Sequence, residues 1–141
     1  MDNNATKTKS RQFAIKIAQI YKNLSNNKKE YVLSEQLLRA GTGIGADLAA
    51  SEYAANRNDF VAKVQEALQK CAETRYWLEI LSEADLITEF EFKNSVQDCD
   101  ELRKILFYTT KALKAAPSTA SASTTPAAAM ASPAKNVSRE T

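Results

Sequence analysis

The chain has 141 residues, 44% of them hydrophobic, and carries 19 Lys/Arg against 17 Asp/Glu for a net charge of +2. That length suits one domain with an ordinary core, and a charge so near balance does not by itself announce a polyanion partner. The absence of histidine removes the commonest general base and the commonest metal ligand. No apolar run approaches the ~20 residues of a membrane span. The first dozen residues are polar, so no secretory signal is expected and a cytoplasmic location is. Cys71 and Cys99 fall on apolar helical stripes, which favours buried reduced thiols over a disulfide or a metal site.

In chain order, residues 1–9 are polar and expected to be loose. Ser10 is placed to cap a first helix whose apolar face is Phe13, Ile17, Ile20, Tyr21 and Leu24. Ser25-Asn26-Asn27-Lys28-Lys29 reads as the break after it. A second helix follows, with Ser34 as its expected cap, Leu33 as a staple and Leu37, Leu38, Ile44, Leu48 and Ala49 at three- and four-residue spacing. All three glycines lie in this helix, at Gly41, Gly43 and Gly45. Each costs about 1 kcal/mol relative to Ala. The expected compensation is close approach of another helix over a bare strip of Gly41 and Gly45 with Ala40, Ala46, Ala49 and Ala50, flanked by Ile44 and Leu48. A phosphate loop is disfavoured, because no strand pattern precedes the glycines and no Gly-Lys-Ser/Thr follows.

Asn58 is a candidate cap for the third helix, whose stripe is Phe60, Val64, Ala67 or Leu68, Cys71, Leu78 and Leu81. Thr88 with Glu91 matches a capping box for the fourth, whose stripe is Phe92, Val96, Cys99, Leu102, Leu106 and Leu113. No segment alternates with a two-residue period. The expected fold is an all-α, up-down-up-down four-helix bundle over residues 10–116. Residues 117–141 hold three prolines in an Ala/Ser/Thr background with one Val and no Leu, Ile or aromatic residue, the composition of a disordered tail.

The run Gln36-Leu37-Leu38-Arg39-Ala40-Gly41-Thr42-Gly43-Ile44-Gly45-Ala46-Asp47-Leu48-Ala49 resembles the central helix of the four-helix-bundle family encoded in 23S rRNA intervening sequences. That family also includes accessory variability proteins of diversity-generating retroelements. A second block, Asn58-Asp59-Phe60-Val61-Ala62-Lys63 through Glu73-Thr74-Arg75-Tyr76-Trp77-Leu78, is similar to the same family. The resemblance spans roughly residues 10–115 and departs at Gly43, Asp47 and Ala50, where the family commonly carries Ser, Asn and Glu. It implies a ring-shaped homopentamer, binding of nucleic acid, and a reverse transcriptase as a protein partner.

Two features of the residues themselves bear on function. Tyr76, Trp77, Leu78, Ile80 and Leu81 point nearly all round the third helix, and Ile105, Leu106, Phe107 and Tyr108 do so on the fourth. Such surplus points to a subunit interface built on Tyr76, Trp77, Phe107 and Tyr108, or else to aromatics lying flat over the edges of one core. Charge is also segregated: residues 1–40 hold eight basic and three acidic groups, 41–101 hold five and thirteen, and 102–116 hold four and none. An up-down-up-down bundle gathers Lys7, Lys9, Arg11, Lys111 and Lys114 at one end, where they are candidate contacts for RNA or DNA phosphates or simple complements of a helix dipole.

Candidate chemistry is sparse. Without His, the di-iron Glu-x-x-His pattern is impossible, and the pairs Asp98/Glu101 and Glu79/Glu83 read as solvated faces. Arg39, Glu52, Glu73 and Arg75 suggest an Arg–Glu pair bridging helices two and three, or else plain surface charge. No catalytic, metal or cofactor residue is assigned. The expected function is a non-enzymatic, self-associating scaffold engaging RNA or DNA through its basic ends, with a protein-interaction adaptor that ignores nucleic acid as the competing class.

Overall fold

The computed structural model describes residues 3–115. They form four helices, α1 (Asn3–Asn26), α2 (Val32–Ser51), α3 (Arg57–Glu83) and α4 (Glu89–Ala115), with no strand among the described residues. The tail expected over 117–141 lies outside them. Helices adjacent in sequence are adjacent in space, α1 on α2 on α3 on α4, and a sparser α1–α4 seam closes the square.

α1 begins seven residues earlier than the sequence suggests. Ser10 is not a cap; it sits 2% exposed inside the helix, and its hydroxyl donates to the Lys7 carbonyl at 2.9 Å. Nor are residues 3–9 loose, since they are helical. Thr6 and Ser10 continue the buried stripe of Phe13, Ile17, Ile20 and Leu24 at the same spacing, and short hydroxyl side chains fit a tight seam once their polar group is satisfied locally.

The start of α2 also differs from expectation. Ser34 is fully buried and donates to the Glu30 carbonyl at 2.7 Å. The orphan amides are instead taken by the Glu30 carboxylate, which accepts from Val32, Leu33 and Ser34 at 3.1, 2.9 and 2.7 Å. A carboxylate there also meets the positive end of the helix dipole. Partial burial opposes the charge on Glu30, but the backbone donors outweigh it and hold the carboxyl below its ordinary value. α3 is capped two residues before the expected Asn58, by Asn56, which accepts from the Asp59 amide at 2.9 Å. At α4 the expected capping box is present, with the Glu91 amide on Thr88 Oγ1 at 3.1 Å and the Thr88 amide on Glu91 Oε1 at 2.9 Å.

The four stripes meet in one core, with Phe13, Ile17, Leu37, Ile44, Leu78, Leu81, Leu102 and Leu106 each 1% exposed or less. Cys71 and Cys99 are free and buried across the α3–α4 contact, the Cys99 thiol donating to the Cys71 carbonyl at 3.3 Å. The hydrogen bond with Cys99, then burial, pushes the Cys71 thiol far above its usual range. Such thiols are unreactive packing groups.

The glycines serve two neighbours. A Cβ on Gly41 would lie 2.9 Å from both γ-carbons of Ile17, and one on Gly45 would lie 3.3 Å from Ser10 Oγ, so both face α1. A Cβ on Gly43 would lie 2.6 Å from Cδ of Lys70, whose chain crosses the bare backbone to reach Asp47 at 3.0 Å. Of the small residues expected to share this strip, Ala40 is buried, but Ala46, Ala49 and Ala50 face outward.

Gly41→Ala is expected to destabilise the fold by about 1–2 kcal/mol, because the branched Ile17 cannot withdraw and overpacking exceeds the ~1 kcal/mol gained in helix propensity. Gly43→Ala displaces only a flexible lysine and should leave stability unchanged or raised by up to about 1 kcal/mol. Urea denaturation of the two variants checks the contrast. Glu30→Ala should cost about 1 kcal/mol by removing the α2 cap. Because Glu30 is held below its ordinary value of 4.5, its contribution is present above that pH and disappears as the pH falls through its folded-state value. A melting curve series from neutral to acid pH should therefore show the Glu30→Ala deficit shrinking as acid is added.

Candidate functional site

The chain order brings the start of α1, the end of α2, the start of α3 and the end of α4 to one end of the bundle. Thr6, Ser51, Phe60, Leu106 and Thr109 line a small cleft there. The five basic residues expected at this end occupy three different settings. Lys7 pairs with Glu52 just past α2, and Lys9 pairs with Glu101 of α4 at 3.1 Å. Arg11 is exposed on the outer face of α1, with no ion pair among the described residues. Lys111 and Lys114 are exposed on the last turns of α4, the Lys111 ammonium 6.0 Å from the centre of the Phe107 ring.

Arg11 therefore does not join the α4 lysines. Lys9 lies level with Glu101 of the antiparallel α4, so Arg11 sits about 18 Å along the axis from Lys111 at 1.5 Å per residue. Arg57 joins them instead. Its guanidinium donates to the Leu113 carbonyl at 2.6 Å, capping the end of α4 beside Lys114. Arg57 is readable from sequence only as part of a polar break, since its role depends on where α4 ends.

The aromatic residues form two edge-to-face pairs. Tyr76 and Trp77 have ring centres 5.0 Å apart, Phe107 and Tyr108 5.4 Å apart. Tyr76, Phe107 and Tyr108 are 53%, 44% and 66% exposed, whereas Trp77 is half-buried against the core, its indole N–H enclosed with no acceptor among the described residues. Because α3 and α4 run antiparallel and Cys71 meets Cys99, the two pairs are separated by about 20 Å along the bundle. They are two patches. Sequence reasoning also missed Ile15, Tyr53 and Phe90, exposed at 51%, 87% and 77%. Ile15 is legible in retrospect as an isoleucine two residues out of step with both Phe13 and Ile17.

The expected Arg–Glu bridge between α2 and α3 is absent among the described residues. Arg39 pairs with Glu35 of its own helix at 3.5 Å, and Glu52 turns to α1. Arg75 reaches across to Asp100 of α4 at 2.6 Å and along α3 to Glu79 at 3.1 Å. Lys70–Asp47 is the pair that joins α2 to α3. On the α1–α4 seam, Lys16 holds Asp98 and Asn94. The carboxylates Asp98, Glu101 and Glu79 are thus engaged by cations. No group of three His, Cys, Asp or Glu side chains able to hold a metal occurs among the described residues. No helix of the described residues is long and apolar enough to cross a membrane.

The bundle is similar to the crystal structure of a protein of unknown function from the S23 ribosomal protein family of Bacteroides thetaiotaomicron. The two are 41% identical, with a TM-score of 0.76 over 79% of this chain and 99% of that one. No curated protein matches. Residues 2–108 match the 23S rRNA-intervening sequence protein family, a span that takes in the glycine-bearing α2, the Glu73–Leu78 run of α3 and all but the last turns of α4. With three-quarters of its length inside that match, the chain belongs to the 23S rRNA-intervening sequence protein family.

Proposed function

We propose that the protein is a non-enzymatic, self-associating helical scaffold of the cytoplasm that engages the phosphate backbone of RNA or DNA through its basic end. The observation that carries this reading is the cluster of Lys111, Lys114 and Arg57 beside the exposed Phe107–Tyr108 pair. Cations around an aromatic step suit a sequence-tolerant contact with a nucleic-acid strand, phosphates on the charges and a base on the ring. The buried free thiols fit a reducing compartment.

Self-association multiplies a patch that is modest in one copy. A homopentamer, the assembly implied by the family resemblance, repeats the basic end five times on one face when the helices run along the ring axis. The attraction for a polyanion then grows with the number of phosphates neutralised. A reverse transcriptase is the protein partner that the same resemblance suggests. The competing adaptor reading draws on Lys7 and Lys9, whose charges are spent on Glu52 and Glu101; such an adaptor would bind protein through the acidic middle helices.

Light scattering should show a multimer at micromolar concentration. Binding to generic RNA at low salt should weaken at least tenfold in Lys111→Glu/Lys114→Glu, with the slope against log salt reduced by roughly 2 for each protomer engaged. Absence of RNA and DNA binding at low salt would overturn the nucleic-acid reading and favour the adaptor, and a monomer would remove the scaffold.

A further inference from the structure

We propose that copies of this chain join through two unlike faces, the outward face of α1 on one copy seating against the outward face of α3 on the next. This rests on the self-association proposed above and specifies its surfaces. α1 contains five basic residues and no acidic one. Arg11, Ile15 and Lys22 are exposed along its outer side, with Ile15 at 51%, and neither charge has an ion-pair partner among the described residues. On α3 the balance is reversed. All four of its basic side chains are committed, Arg57 to a carbonyl, Lys63 to Glu66, Lys70 to Asp47 and Arg75 to Asp100 and Glu79. Glu73 and Glu83 are exposed without an ion pair among the described residues, and Tyr76 stands between them at 53% exposure.

The spacing agrees as well as the sign. Arg11, Ile15 and Lys22 span eleven residues, about 16 Å of helix, and Glu73, Tyr76 and Glu83 span ten, about 15 Å. Each face is a cation or anion, an apolar side chain one turn on, then a second like charge. The helices run in the same direction in an up-down-up-down bundle, as copies in a cyclic assembly must. Their heights correspond too. Ser10 faces Gly45 of α2, while Lys70 crosses Gly43 two residues away, so Arg11 and Glu73 lie within about a turn of one another along the axis.

The leading charge of each face lies toward α2. Arg11 is one turn from Lys7, which reaches Glu52 at the end of α2, and Glu73 is one turn from Lys70, which reaches Asp47 of α2. Unlike faces that converge on one side of the protomer close into a ring rather than extend into a filament. The α2 surface turned to that ring's interior carries Ala46, Ala49 and Ala50, small enough for copies to crowd there.

Sedimentation velocity on the full chain tests the pairing, with circular dichroism reporting helix content. R11E/K22E and E73K/E83K should each be fully helical and should each weaken association at least tenfold, and the fourfold variant R11E/K22E/E73K/E83K should restore it. Retained assembly in either double variant overturns the proposal while the scaffold reading stands. So does a helical fourfold variant that stays apart. A monomeric parent protein overturns both. If R11E/K22E keeps its assembly and loses only RNA binding, the α1 face is a phosphate contact and the docking is refuted.

Discussion

The contact between Ile17 and the backbone of Gly41 sets the distance between α1 and α2, and the rest of the bundle is arranged around it. With γ-carbons 2.9 Å from where a Cβ would stand, the branched side chain lies directly on the α2 helix surface, and no residue larger than glycine leaves that space open. Ser10 repeats the arrangement about two turns away, over Gly45. Three glycines in one helix cost about 2–3 kcal/mol in propensity. Dispersion attraction along the close seam and complete burial of Ile17 offset that cost. The third glycine, Gly43, works on the opposite flank, where it makes room for the Lys70 chain.

Close helices need small side chains, and small polar ones must be satisfied without a long-range partner. Thr74 and Thr110 donate to the carbonyls of Lys70 and Leu106 at 2.6 and 2.7 Å, and Ser51 to that of Leu48 at 2.6 Å. These hydroxyls are paired inside their own helix, so the core stripe can run through them at little desolvation cost. The same chemistry separates what is legible in the sequence from what is not. The stripes of Phe13–Leu24 and Cys99–Leu106 follow from apolar spacing, and the Thr88/Glu91 box from its motif. Thr6 and Ser10 break the apolar pattern, so the first two turns of α1 read as a loose leader. The Glu30 cap escapes because it lies two residues outside the helix it serves and resembles an ordinary surface charge.

Charge is legible as an excess but not as a set of partners. The concentration of lysines at the end of α4 follows from composition and the direction of the helix. The engagement of Lys7 and Lys9 by Glu52 and Glu101 does not, since it depends on the register of α1 against α2 and α4. That register is set by the glycine seam. The same dependence explains why Asp47, rather than a glutamate, ties α2 to α3: Lys70 is the cation that reaches across the backbone gap left by Gly43.

Exposed ion pairs contribute little stability individually, yet they decide which charges remain for other molecules. In α3 they use Lys63, Lys70 and Arg75 and leave Glu73 and Glu83 over. In α1 the seam side spends Lys9 and Lys16, leaving Arg11 and Lys22 outside. Leftover charges of opposite sign on α1 and α3 do not meet within one copy, because the core separates the two helices across the diagonal of the square. Internal pairing therefore does more than stabilise a surface. By selecting which charges stay open, it leaves a protein of net charge +2 with an exposed basic strip on α1 and an exposed acidic one on α3, the two surfaces on which the proposed self-association rests.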